Sequence, residues 1–111
     1  MNLDISKEKR IYFIGIGGSS MSSLAEIMFR RGYSVSGSDM QESHYTEHLS
    51  SLGIPCYIGQ KKENIVNAAP DIIIKTDAIS DTNPEIKAAE ENNIPVFRRA
   101  WLLGKILDGY K

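Results

Sequence analysis

Short apolar runs alternate with amphipathic stretches along this chain, and the alternation predicts strands and helices in turn. Ile11 to Ile14, β-branched and aromatic, reads as a buried strand. Met21, Leu24, Ala25 and Met28 then recur at i, i+3, i+4 and i+7, the apolar stripe of a helix. Arg30 and Arg31 in its last turn suit the helix dipole, and Gly32 suits its C-terminal cap. Ser34 to Ser38 is a weaker strand, Tyr45 to Leu52 a helix closing at Gly53, and Pro55 to Ile58 a third strand. Glu63 to Asn67 is a short helical piece, and Ile72 to Ile74 the clearest buried strand. Asn83-Pro84-Glu85 opens a helix reaching about Glu91, with proline at its first position. Val96-Phe97 and Ala100 to Leu107 complete the series as a short strand and a last helix.

Five strands alternating with five helices, at spacings suited to right-handed crossovers, predict an α/β fold. The expected architecture is a Rossmann-like, open, mostly parallel five-stranded sheet with helices on both faces. It forms one domain over residues 1–111, with its binding crevice at the carboxyl ends of the strands. Gly53-Ile-Pro-Cys-Tyr-Ile58 and Asn93-Ile-Pro-Val-Phe97 share a plan. In each, a helix ends on a residue that tolerates left-handed geometry, and proline enters the next strand before ladder bonds are needed.

Composition narrows the function. Thirteen Lys and Arg against fourteen Asp and Glu leave a formal charge of −1, so no bulk field favours nucleic acid or an anionic membrane. An anion must be held locally. A single cysteine, Cys56, allows no internal disulfide and fits a reducing compartment. Apolar runs fall far short of the roughly 20 residues that span a bilayer. Met1 to Arg10 is charged and lacks a signal core, so a cytoplasmic location is expected.

Candidate chemistry gathers at Gly15-Ile-Gly17-Gly18-Ser19-Ser20, between the first strand and the first helix. Glycine lets a ligand approach the backbone, and unsatisfied N–H groups at a helix N-terminus attract an anion. The amides of Gly18, Ser19 and Ser20, with two serine hydroxyls, form the expected phosphate cradle. The spacing resembles a dinucleotide fingerprint with Ser20 in place of the third glycine, a position that governs helix–strand packing more than ligand contact. Asp39 stands 19 residues beyond Ser20, where an acidic residue would meet a ribose hydroxyl. From the residues alone, NAD, another nucleotide diphosphate and a plain tight turn all remain open.

The longer string Phe13-Ile-Gly-Ile-Gly-Gly-Ser-Ser-Met-Ser-Ser-Leu-Ala-Glu26, continuing to Gly37-Ser38-Asp39, resembles the N-terminal segment of bacterial Mur ligases. The resemblance runs on through Tyr57-Ile-Gly59, Glu63-Asn64-Ile65, the stretch from Asp71 to Ser80, Asn83-Pro84-Glu85, and Ile94 to Leu107. It implies the UDP-binding domain of a longer, three-domain cytoplasmic enzyme of peptidoglycan synthesis. The branch it most resembles joins L-alanine to UDP-N-acetylmuramate, with ATP and Mg2+ acting in the rest of the enzyme. It also implies a UDP site built from Gly15, Gly17, Gly18, Ser19, Ser20, Met21, Ser38, Asp39, Gln60, Thr76, Asp77, Ala78 and Ile79. Ser20 and Ser23 replace glycines usual in the family. Thr76 to Ser80 replaces a common S-S-A-I-P, and Gln60 and Arg98 each stand where histidine is frequent. No G-x-x-x-x-G-K-[ST] loop for ATP occurs, so catalysis is not expected of this chain alone.

Other constellations are weak. His44 and His48 are spaced i, i+4 but lack a third ligand for a metal. Cys56 reads as a small buried hydrophobe, and Lys61-Lys62 as a solvated helix start. Trp101, Leu102, Leu103, Ile106 and Leu107 read as a core stripe. Beside the UDP-sugar reading stand two others: an NAD-binding domain of an oxidoreductase or redox-sensing regulator, and a non-catalytic domain with a vestigial crevice.

Overall fold

A computed structural model describes residues 9–108, so the expected span of 1–111 runs outside the described residues at both ends. The elements are β1 (Arg10–Ile14), α1 (Ser19–Arg30), β2 (Ser34–Asp39), α2 (His44–Ser51), β3 (Cys56–Ile58), α3 (Lys62–Ala68), β4 (Ile72–Lys75), α4 (Pro84–Glu91), β5 (Val96–Arg98) and α5 (Arg99–Asp108). Five strands form one sheet in the order β3-β2-β1-β4-β5, and every pairing is parallel. β1 is central, with Ile11 beside both Val35 and Ile72.

Pleating sends alternate side chains of β1 to opposite faces. Ile11 and Phe13 join Ile72, Ile74, Leu24, Met28, Leu49, Leu102 and Ile106 under α1, α2 and α5. Tyr12 and Ile14 join Ile73, Ile65, Ile86 and Ala89 under α3 and α4. Burial on both faces explains why β1 and β4 read as unbroken apolar runs rather than alternating ones. The last helix departs from expectation. Leu102 and Ile106 are buried, but Leu107 is 59% exposed and Leu103 38% exposed, so the predicted five-residue stripe is narrower than its apolarity suggests.

The repeated helix-to-strand plan is realised in detail. After α2, Gly53 (φ 97°) donates to the Ser50 carbonyl and Ile54 to that of Leu49. After α4, Asn93 (φ 57°) donates to Glu90 and Ile94 to Ala89, the same paired closure. The Pro55 carbonyl then accepts from Gly37 N–H at 3.1 Å, and that of Pro95 from Ile73 N–H at 3.0 Å. Proline thus stands at the head of each edge strand with its carbonyl turned into the sheet.

Sheet order fixes where a ligand can sit. The chain winds outward from β1 through β2 to β3, then crosses back to β4 and β5. The crevice therefore opens between the loops that follow β1 and β4, a topological switch point.

Candidate functional site

The loop after β1 is held by β2. Gly15 and Ile16 both donate to the Ser38 carbonyl, at 2.8 and 2.9 Å. Gly17 N–H donates to Asp39 Oδ2 at 2.9 Å. Position 17 is close-packed: a Cβ there would stand 2.8 Å from Asp39 Oδ2 and 2.9 Å from Thr46 Cγ2, so both side chains would have to shift. Position 37 is tighter: a Cβ would collide with the Phe13 carbonyl and lie 2.7 Å from Ile16 Cδ1. The glycine of the Gly-Ser-Asp string thus lets the loop lie flat on β2.

One detail of the cradle differs from expectation. Gly18 N–H donates back to the Gly15 carbonyl at 3.1 Å, closing the turn, so Gly18 does not offer its amide to a ligand. Gly18 is instead the N-cap of α1, and no side chain among the described residues caps that helix. The first-turn amides of Ser19, Ser20 and Met21 have no partner within the helix, because no carbonyl lies a turn below them. By contrast, α2 is closed by a reciprocal Ser43–Thr46 capping box, and Asn83 Oδ1 accepts from Glu85 N–H at α4. The Met21 side chain is buried in the core, so only its backbone faces the crevice end.

Ser20 takes a part the missing glycine could not. It is exposed, and its Oγ accepts from Arg99 Nη1 at 3.1 Å, which carries the start of α5 across to the start of α1. Thr76 and Asp77 line a cleft of about 400 Å³ with Arg98, Arg99 and Ala100. Asp77 meets Arg98 at 3.4 Å, and both are well exposed. Ala78 is exposed and Ile79 half-buried, and the Ile79 carbonyl accepts from Lys75 Nζ at 3.0 Å. Gln60 lies in the β3–α3 loop, its Oε1 accepting from Asn83 Nδ2 at 2.7 Å.

Sequence reasoning missed a buried polar centre beside the site. Glu85 is fully buried, as are Tyr12 and Ser38. Ser38 Oγ donates to its Oε1 at 2.6 Å. Its Oε2 accepts from Asn64 Nδ2 at 2.7 Å, Tyr12 OH at 2.8 Å and Lys61 N–H at 3.2 Å. Burial, above all, pushes the Tyr12 phenol well above its ordinary range, which keeps it a donor. The available signal was Tyr12 and Ser38 themselves, polar residues inside strands otherwise built for burial.

The remaining candidates stay apart from this site. His48 Nε2 lies 2.9 Å from Glu26 Oε1, and the His44 ring sits against Tyr45. No group of three or more His, Cys, Asp or Glu among the described residues is placed to hold a metal. Burial also raises the pKa of Cys56, the behaviour of an unreactive thiol. Among the described residues, no helix is long and apolar enough to cross a membrane.

A family model described as "Mur ligase family, catalytic domain" matches residues 10–111. The chain belongs to the Mur ligase family. Among relatives of this Mur ligase chain, the UDP-N-acetylmuramate–L-alanine ligase of Clostridium botulinum (strain Okra / Type B1) is 53% identical over 105 residues, covering 95% of this chain and 22% of that protein. The ligase of the same name from Clostridium tetani (strain Massachusetts / E88) is 48% identical over 112 residues, covering 100% and 24%. The crystal structure of UDP-N-acetylmuramate-alanine ligase from Thermotoga maritima superposes with a TM-score of 0.88 at 36% identity, over 94% of this chain and 24% of that one. This Mur ligase chain therefore spans 22% to 24% of the length of these relatives. Family membership does not favour the NAD reading.

Proposed function

We propose that this chain is the UDP-binding N-terminal domain of a UDP-N-acetylmuramate–L-alanine ligase. One observation carries the reading: an uncapped helix start at the switch point of the sheet, its loop pinned to β2 by the Asp39–Gly17 bond. The amides of Ser19, Ser20 and Met21 and the hydroxyls of Ser19 and Ser20 receive the diphosphate. The loop geometry comes from Gly15, Gly17 and Gly18. Asp39 and Gln60 lie toward the nucleoside side, and Thr76 to Ile79 line the other wall. Ser38 and Asp39 act chiefly by holding the loop, because Ser38 Oγ and both Asp39 oxygens are already engaged.

In the full enzyme, ATP and Mg2+ would supply the activation of the muramoyl carboxylate toward L-alanine. The residues of this chain do not fit those groups. It has no Walker-type loop, and its described residues hold no metal cluster. Its own work is to bind and orient the nucleotide end of the substrate in the cytoplasm, for cell-wall synthesis. Titration with UDP, UDP-N-acetylmuramate and NADH, followed by thermal unfolding, tests this. A ligand at 100 times its Kd stabilises by about 2.7 kcal/mol. Stabilisation by UDP compounds is expected, and a response to NADH alone sinks the proposal.

A further inference from the structure

The buried carboxylate of Glu85 has no part in the proposed contacts, yet it joins the two structural pieces that carry them. Four donors converge on its two oxygens: the hydroxyls of Tyr12 and Ser38, the Lys61 backbone N–H and the Asn64 amide. None of the four is a cation. A buried charge without a cationic partner is expensive, and replacing such a group by a well-packed apolar residue is often neutral or stabilising. Its place in the first turn of α4 offsets part of that cost through the helix dipole. What an apolar residue could not supply is direction.

The donors come from separate elements. Tyr12 lies on β1, and Ser38 lies on β2 next to the anchor residue Asp39. Asn64 and Lys61 belong to the β3–α3 loop and the start of α3. Asn64 Nδ2 is shared, also donating to the Gly59 carbonyl at 2.8 Å, while Gly59 N–H donates to the Asp39 carbonyl at 2.8 Å. Asn83 caps the helix that bears Glu85 and holds Gln60 through its other amide atom. The end of β2 and the Gly59–Lys61 loop are thus both referred to one carboxylate.

We infer that Glu85 is a positioning residue of the nucleotide site, fixing the Gly59–Lys61 loop against the Ser38–Asp39 end of β2. The inference rests on the reading of the site as a UDP site, and the test separates the two. Four forms of the 111-residue chain are compared: wild type, E85A, E85Q and N64A. Glutamine can keep an acceptor where Oε2 accepts three bonds and present its NH2 group to Ser38, whose hydroxyl can accept. N64A removes the Asn64 bonds to Glu85 and to the Gly59 carbonyl while leaving the Lys61 N–H on Glu85, and it guards against E85A failing to fold. UDP affinity is measured by calorimetry at a temperature where circular dichroism shows each variant folded. N64A and E85A should weaken UDP roughly 3- to 30-fold, with E85Q close to wild type. Equal affinity in all folded variants overturns the inference. If wild type itself does not bind UDP, the ligand reading fails, and amide exchange decides the positioning claim. Faster exchange in N64A confined to the Gly59–Lys61 loop and Gly17 upholds it. Uniform acceleration, or none, overturns it.

Discussion

Removing the Ser38 hydroxyl should destabilise this domain more than removing the Tyr12 hydroxyl, although tyrosine is by far the larger buried residue. Both groups donate to the fully buried Glu85, but to different oxygens. In Tyr12→Phe, Oε2 loses one donor and keeps Asn64 and the Lys61 amide. The cost is then that of one hydrogen bond to a charged group, at the low end of its range, about 1.5 kcal/mol. In Ser38→Ala, Oε1 loses the one donor it has among the described residues. A buried charged acceptor is left unsatisfied, at about 3 kcal/mol. Urea unfolding followed by circular dichroism should show the two midpoints separated with a common slope. In thermal scans the expected falls in Tm are about 6–12 °C and about 12–24 °C, respectively. A Ser38→Ala variant as stable as Tyr12→Phe, or more so, refutes the assignment of the two oxygens.

Other expectations follow from close approaches, caps and charge. Gly37→Ala should cost about 3 kcal/mol, because its Cβ meets backbone. Gly17→Ala should cost less, about 1–2 kcal/mol, because Asp39 and Thr46 side chains can yield; it should also weaken UDP measurably by calorimetry. Asn93→Ala should lose about 1 kcal/mol in urea titration while Asn93→Gly loses none, since residue 93 has φ 57°. Hydrogen bonds from Arg30 and then His48 hold Glu26 below the usual carboxylate range. A depressed folded pKa gives stability that is present above the unfolded value, near ~4.3, and lost as pH falls through the folded one. Glu26→Gln should therefore lower stability above about pH 4.3 and flatten the acid side of the stability–pH curve, the deficit vanishing as pH falls.

Much of this fold was legible because its signals are local. The glycine loop, the apolar stripe of α1 and the Ile-Pro entries to the edge strands each declare themselves within a dozen residues. Even Asn93 could be read as a helix stop by its kinship with Gly53. The Glu85 centre could not be read that way. Asn83-Pro84-Glu85 is an ordinary helix start on its face, and an acidic residue in a first turn needs no special account. Its partners lie 73, 47, 24 and 21 residues away, so only the sheet order brings them together. Arg99 was hidden for the same reason, reaching Ser20 across 79 residues. The amide of Gly18 was assigned to the ligand because spacing shows where a turn lies, not which of its N–H groups the turn uses for itself.

The two edge strands, β3 and β5, are three residues long, and each is entered through a proline. A parallel sheet buried on both faces is otherwise a ready template, since its rim carries unpaired amides and carbonyls that a second chain can copy. Here the rim is too short to copy. An incoming strand would find only a couple of outward-facing groups on either side before meeting a helix cap. Among the described residues, both rims of the sheet are therefore poor templates for strand addition.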